Sequence, residues 1–130
     1  MAQKEIEVIL ARHLASYLAI PVFIVDPDGT LLYYNDPAEA ILGRRFSETG
    51  EMGVAEWSTL FQPLDEAGNQ LPADRLPLVI AIKDRVPAHS AFWIQGLDAR
   101  RRHIEVQAFP LIGQADRYLG GVAIFWEVDR

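Results

Sequence analysis

No stretch constrains this chain more than YLGGVAIFWEV, residues 118–128. Successive side chains of a strand point to opposite faces, and here both sets are apolar. Such a strand has to be covered on both sides, so the chain needs a layered fold with a sheet packed front and back. Helices from the middle of the chain supply one cover. The N-terminal helix, a partner subunit, or both supply the other.

The remaining segments provide the other pieces. Residues 4 to 18 read as an amphipathic helix, with Ile6, Ile9, Leu10, Leu14, Tyr17 and Leu18 recurring at three- and four-residue steps until Pro21 stops it. PVFIVD (21–26) and TLLYY (30–34) are strand-like runs, and Pro27-Asp28-Gly29 between them predicts a hairpin. Next comes a helix with Asp36 as its expected N-cap, Pro37 at its first position and Glu39 as the capping-box partner. Ala38, Ile41 and Leu42 form its apolar face, and Gly43 ends it.

Residues 44–56 read as a loop with one helical turn, and Trp57, Leu60, Phe61 and Leu64 as a short buried turn. Residues 65–77 form a loop, and Leu78–Asp84 a helix. Two alternating strands, 88–97 and 103–112, flank a polar turn at 97–102, and GQADR (113–117) leads into the last strand. Gly120-Gly121 inside that strand marks a bulge or a close backbone approach. The order predicts an α+β fold: one five-stranded antiparallel sheet with short helices on one face and an N-terminal amphipathic helix.

The length of 130 residues suits one domain. With 12 Lys and Arg against 18 Asp and Glu, the net charge of -6 argues against nucleic acid as a partner. The absence of cysteine excludes disulfides, Cys-based zinc sites, a thiol nucleophile and Cys-linked cofactors. It suits a reducing compartment, and the cytoplasm is the expected location. No run approaches the roughly 18 to 20 apolar residues of a membrane span. The N-terminus, with Lys4, Glu5, Glu7 and Arg12, lacks the apolar core of a signal peptide.

Four segments, in this order and spacing, resemble a PAS domain, the sensory module of many bacterial signalling proteins: PVFIVDPDGTLLYYNDPAEAILG (21–43), LPADRLPLVIAIKDRVP (71–87), ARRRHIEVQAFPLIG (99–113) and YLGGVAIFWEVD (118–129). The resemblance spans residue 15 to about 128. It implies an N-terminal dimerisation helix in residues 1–19 and a sensor domain in 20–130. It further implies a small ligand or cofactor held between sheet and helices, or simple dimerisation and relay, with output through a signalling partner or effector domain. None of the family's usual output domains fits within these residues. Where the family often carries Asp-x-Thr at the end of the last strand, Glu127-Val128-Asp129 stands here. The reactive cysteine of the flavin-photoreceptor branch is missing, which excludes a cysteinyl-flavin adduct.

From alternation and the resemblance together, the space between sheet and helices is expected to be lined by Tyr34, Leu42, Trp57, Phe61, Val79, Ile82, Phe92, Ile94, Val106, Ala108, Val122 and Ile124. A homodimer is expected through Ile6, Ile9, Leu10, His13, Leu14 and Tyr17, with the outer face of 118–128. Haem ligation by a histidine is disfavoured, since the helix 78–84 has none; His89 is the nearest candidate, and His13, His89 and His103 are too scattered for a metal site. Arg100-Arg101-Arg102 reads as a solvated turn rather than a phosphate grip. Turn and cap roles account for Asp26, Asp28, Asn35 and Asp36 without catalysis, so no enzymatic activity is expected. The leading expectation is a sensor or interaction domain that binds a small apolar ligand; the alternatives are a dimerisation module with a filled core and a small pocket enzyme.

Overall fold

The computed structural model describes residues 6–96 and 99–128. The chain runs α1 (Ile6–Ala15), β1 (Val22–Val25), β2 (Leu31–Tyr34), α2 (Asp36–Leu42), α3 (Phe46–Thr49), α4 (Val54–Leu60), α5 (Pro77–Asp84), β3 (Ala88–Gln95), β4 (Arg101–Ile112) and β5 (Tyr118–Glu127). The strands form one antiparallel sheet in the order β2-β1-β5-β4-β3. The doubly apolar β5 is its central strand, paired with β1 on one side and β4 on the other. Lys4, Glu5, Leu97, Asp98 and Asp129 lie outside the described residues.

Local chemistry explains the early elements. The Asp26 carboxylate accepts hydrogen bonds from the Asp28 and Thr30 amides at 2.9 Å each, and Gly29 takes a positive φ of 89° to close the hairpin. The helix cap falls one residue earlier than expected. Asn35, not Asp36, caps α2: its Oδ1 accepts from the Ala38 amide at 3.2 Å and from the Val22 amide at 2.9 Å. Its Nδ2 donates to the Ala15 and Ile20 carbonyls at 2.9 Å each. One amide side chain, 1% exposed, therefore ties together the end of α1, the entry to β1 and the start of α2. Glu39, free of a capping-box role, accepts from the Phe46 amide instead.

Two layers cover the sheet. On the inner face lie α2, α4 and α5, packed with Phe23, Val25, Tyr34, Ile104, Val106, Ala123 and Phe125 in the main core. On the outer face α1 seats Val8, Ala11 and Ala15 against Leu32, Leu111, Leu119 and, further along, Val22, Ile24 and Val122. The Glu7 carboxylate anchors the start of α1 by accepting from Arg117 Nη2 at 2.9 Å and the Gln114 amide at 3.3 Å.

Gly120 and Gly121 allow the central strand to be this crowded. Gly120 has φ 134°, and a Cβ there would run into the Val25 carbonyl oxygen. A Cβ on Gly121 would meet Ile82 of α5 at 2.7 Å, so glycine lets that helix approach the sheet. The basic run also departs from the solvated turn expected of it. Arg101 and Arg102 open β4, and Arg102 turns inward, buried, to donate to the Ile41 carbonyl at 2.8 Å beside Glu127 at 3.8 Å. The last carbonyls of α2 have no helical partner of their own, and a guanidinium answers that need.

Candidate ligand cavity

Between the inner face of the sheet and the helices lies a cavity of about 80 Å³. Its sheet wall is Phe23 of β1, Phe92 and Ile94 of β3, Ile104 and Val106 of β4, and Ala123 and Phe125 of β5. Opposite stand Leu42 of α2, Trp57 and Ser58 of α4, Phe61 and Pro63 after it, and Leu76, Pro77 and Leu78 at the start of α5. None of these lining residues is titratable. The Trp57 indole N–H is already committed to the Gly29 carbonyl at 2.7 Å, which leaves the buried Ser58 hydroxyl as the polar group in the wall. A site of this composition selects by shape and by apolar contact.

No protein-family model and no curated protein matches the sequence. Solved structures do match in fold. The PAS domain of a protein from Colwellia psychrerythraea is 14% identical, with a TM-score of 0.64 covering 93% of this chain and 96% of that one. The PAS domain of nitrogen regulation protein NR(II) from Vibrio parahaemolyticus is 19% identical, with a TM-score of 0.62 covering 92% and 98%. A LOV protein from Rhodobacter sphaeroides is 14% identical, with a TM-score of 0.75 covering 97% of this chain and 70% of that one. The chain adopts the PAS fold.

Within this PAS fold, six of the twelve residues expected around the central space line the cavity: Leu42, Trp57, Phe61, Phe92, Ile94 and Val106. Four others, Tyr34, Val79, Ile82 and Ala108, belong to the surrounding core without reaching the cavity surface. Tyr34 stacks on Phe23 with ring centres 5.9 Å apart and donates its hydroxyl to the Arg44 carbonyl at 2.7 Å. Burial pushes its phenol above the ordinary value of 10.0.

Val122 and Ile124 are a correction. Both lie on the outer face, where they pack with Ala15 and Ala11 of α1, and Ala123 and Phe125 take their places in the wall. The cause is a bulge at the top of the β4–β5 hairpin. Ile112 pairs with Tyr118, but Leu111 pairs with Gly120, which leaves Leu119 as an extra residue. Continued without it, the first pairing would have set Val106 opposite Ile124 and Ala108 opposite Val122. With it, Val106 faces Phe125 and Ala108 faces Ala123. Directly opposed residues share a face, so one inserted residue exchanges the two sets.

The lining residues missed outside β5 split into two kinds. Ile104 was legible, since it alternates in phase with Val106 and Ala108. Phe23 and Leu78 likewise sit in a strand and a helix that the sequence places, whereas Pro63 and Leu76 come from segments with no period of their own, and only the tertiary fold brings them to the wall.

Ile6, Ile9, Leu10 and Leu14 of α1, and Tyr17 just beyond its end, are 50–77% exposed, and His13 beside them is exposed too, its ring 5.3 Å from Tyr17. The helix is thus apolar on two sides, and the face toward the sheet is the one built from Val8, Ala11 and Ala15. Of the outer residues of β5, Val122 is buried beneath α1, whereas Trp126 is exposed. His89 lies on the outer face of β3 with its imidazole 3.2 Å from Glu105, away from the cavity. Among the described residues no helix is long and apolar enough to cross a membrane.

Proposed function

We propose that this PAS-fold chain is a non-enzymatic sensory or interaction module of a signalling system. It holds a small uncharged apolar molecule in the cavity, pairs with a second copy through the exposed face of α1, and relays to a partner protein or effector domain. The observation that carries the reading is the cavity wall: fifteen residues, five of them aromatic, none titratable, around about 80 Å³. Such a wall offers nothing to pair with a charged ligand and no acid or base for catalysis. A dry cavity of roughly 150 Å³ admits benzene, so this one suits a somewhat smaller guest or a modest adjustment of its side chains.

The exposed stripe of α1 supports the pairing. Four large aliphatic residues on the solvent side of a helix, with a tyrosine just past its end, form the kind of patch that marks an interface. Signalling would then be a shift between two packings of the dimer, driven by a ligand that binds one better than the other. Residues 1–19 serve the dimer in this reading and 20–130 the sensing. The small volume of the cavity favours one alternative, a dimerisation module with a filled core that takes no ligand.

Methyl NMR under xenon pressure, a small apolar probe, tests the ligand. Leu42, Ile94 and Val106 are expected to shift while the outer-face Val22 does not, and Ala123→Leu is expected to abolish the shifts by filling the space. Absence of any shift in the wild type refutes ligand binding and leaves the structural alternative. Light scattering tests the dimer: the pair L10E/L14E is expected to be monomeric where the wild type is dimeric, and a monomeric wild type refutes the pairing.

A further inference from the structure

A half-buried titratable group on the other side of the sheet has no part in that reading. His103 lies on the outer face of β4, opposite Trp93 of β3, and the two rings stack with centres 4.7 Å apart and planes 22° from parallel. Both imidazole nitrogens are buried, and neither makes a hydrogen bond. Leaving such groups unpaired is costly, so an orphaned pair in a native protein calls for a reason. Its charged neighbour is Glu66, an 84% exposed side chain whose Oε2 stands 3.8 Å from Nε2. That is beyond a hydrogen bond and within easy reach of one.

Glu66 sits in a small hairpin, residues 63–71. The Asp65 carboxylate closes it by accepting from the Ala67 and Asn69 amides, and Leu71 returns to the Pro63 carbonyl at 2.9 Å. Two backbone bonds hold this segment on the edge of β3, where Leu64 and Trp93 exchange both of theirs at 2.7 and 2.9 Å, and just before it Gln95 donates to the Phe61 carbonyl at 3.0 Å. Other charged groups share the outer face with His103. On β4 these are Arg101 and Glu105, and Glu105 is engaged by His89 of β3 at 3.2 Å. The uncharged Trp126 of β5 stands opposite Glu105, and just past the strand the Val128 amide donates to the His103 carbonyl at 2.8 Å. Among the described residues, Glu66 is the carboxylate that approaches the orphaned ring.

We propose that His103 and Glu66 form a pH-responsive clasp that fastens the 63–71 hairpin to the β3 edge when the imidazole is protonated. Protonation makes the ring a donor at both nitrogens and gives it a charge opposite to that of the carboxylate. Glu66 then closes to hydrogen-bond distance, and the hairpin is tied to the sheet by a side chain as well as by backbone. The neutral ring holds Glu66 only weakly, and the edge bonds open more often. The proposal stands whether or not the cavity holds a ligand.

Hydrogen exchange on the whole chain without added ligand is the test, with the Leu64 and Trp93 amides as reporters. Their protection, corrected for the intrinsic pH dependence of exchange, is expected to be about two- to five-fold higher at pH 5.5 than at pH 7.5, the scale of one partly exposed ion pair. Glu66→Gln removes the charge from an exposed position that the fold does not need, and is expected to abolish the gain. The His89–Glu105 pair joins β3 to β4 and not to the hairpin, and it remains in that variant as an internal control. Equal protection ratios in wild type and variant, or protection that falls at pH 5.5, overturn the proposal.

Discussion

Asn35→Ala should be among the most damaging single changes outside the hydrophobic core. The side chain makes four hydrogen bonds, and the alanine variant leaves two buried N–H groups, those of Val22 and Ala38, without acceptors. An abandoned buried backbone donor costs about 1–3 kcal/mol, and loss of an N-cap about 0.5–2 kcal/mol, with overlap between the two terms. The carbonyls of Ala15 and Ile20 lose donors as well, but the Ala15 carbonyl still accepts from the Leu18 amide at 3.2 Å and so suffers less. The expected loss is about 3 kcal/mol, a large share of the 5–15 kcal/mol typical of a domain, and about 10 °C in Tm. Urea denaturation followed by tryptophan fluorescence measures it, and hydrogen exchange should show α1 loosened before the rest. A loss below about 1 kcal/mol would mean that the junction is held by apolar packing alone, and the reasoning fails.

Gly120→Ala places a Cβ on a backbone with φ 134° and drives it into the Val25 carbonyl oxygen, so it should cost about 3 kcal/mol or prevent folding; a thermal melt within 2 °C of wild type, roughly half a kcal/mol, would contradict this. Glu7 gives a pH dependence of known sign. Hydrogen bonds from its own backbone N–H and from the Gln114 amide, with the Arg117 guanidinium beside it, hold its carboxyl below the ordinary value of 4.5. A depressed folded-state value means that the clasp on α1 is present above pH 4.5 and is lost as pH falls through the folded-state value. Exchange protection of the α1 amides should therefore drop in acid, and Glu7→Gln should flatten that drop; an unchanged profile in the variant would refute it.

The fold was legible where local chemistry decides. The Asp26-Pro27-Asp28-Gly29 turn, the proline at the start of α5 and the alternation of β3 and β4 each place an element within two or three residues. The misreadings arise where a distant partner decides. Two acceptors compete for the α2 cap, and Asn35 wins because its amide can also donate to Ala15 and Ile20. The stretch 44–56, read as a loop with one helical turn, holds that turn as α3 and also the start of α4, which Gly53 opens without a side-chain cap that a sequence pattern would reveal. Arg102 looked like one member of a solvated run, yet the carbonyl end of α2 draws it inward. The cavity wall followed the same division: alternation located Phe92, Ile94 and Val106 and runs in phase through Ile104, whereas the segments around Pro63 and Leu76 carry no periodic signature.

The bulge at Leu119 has a consequence for how much the β4–β5 connection can vary. Which side chains of β5 point inward is settled where Gly120 presses against Val25, several residues beyond the loop itself. Lengthening or shortening residues 114–116 would thus change the tip of the hairpin and leave the orientation of the central strand untouched. That turn is free to diverge, and the glycine below it is not.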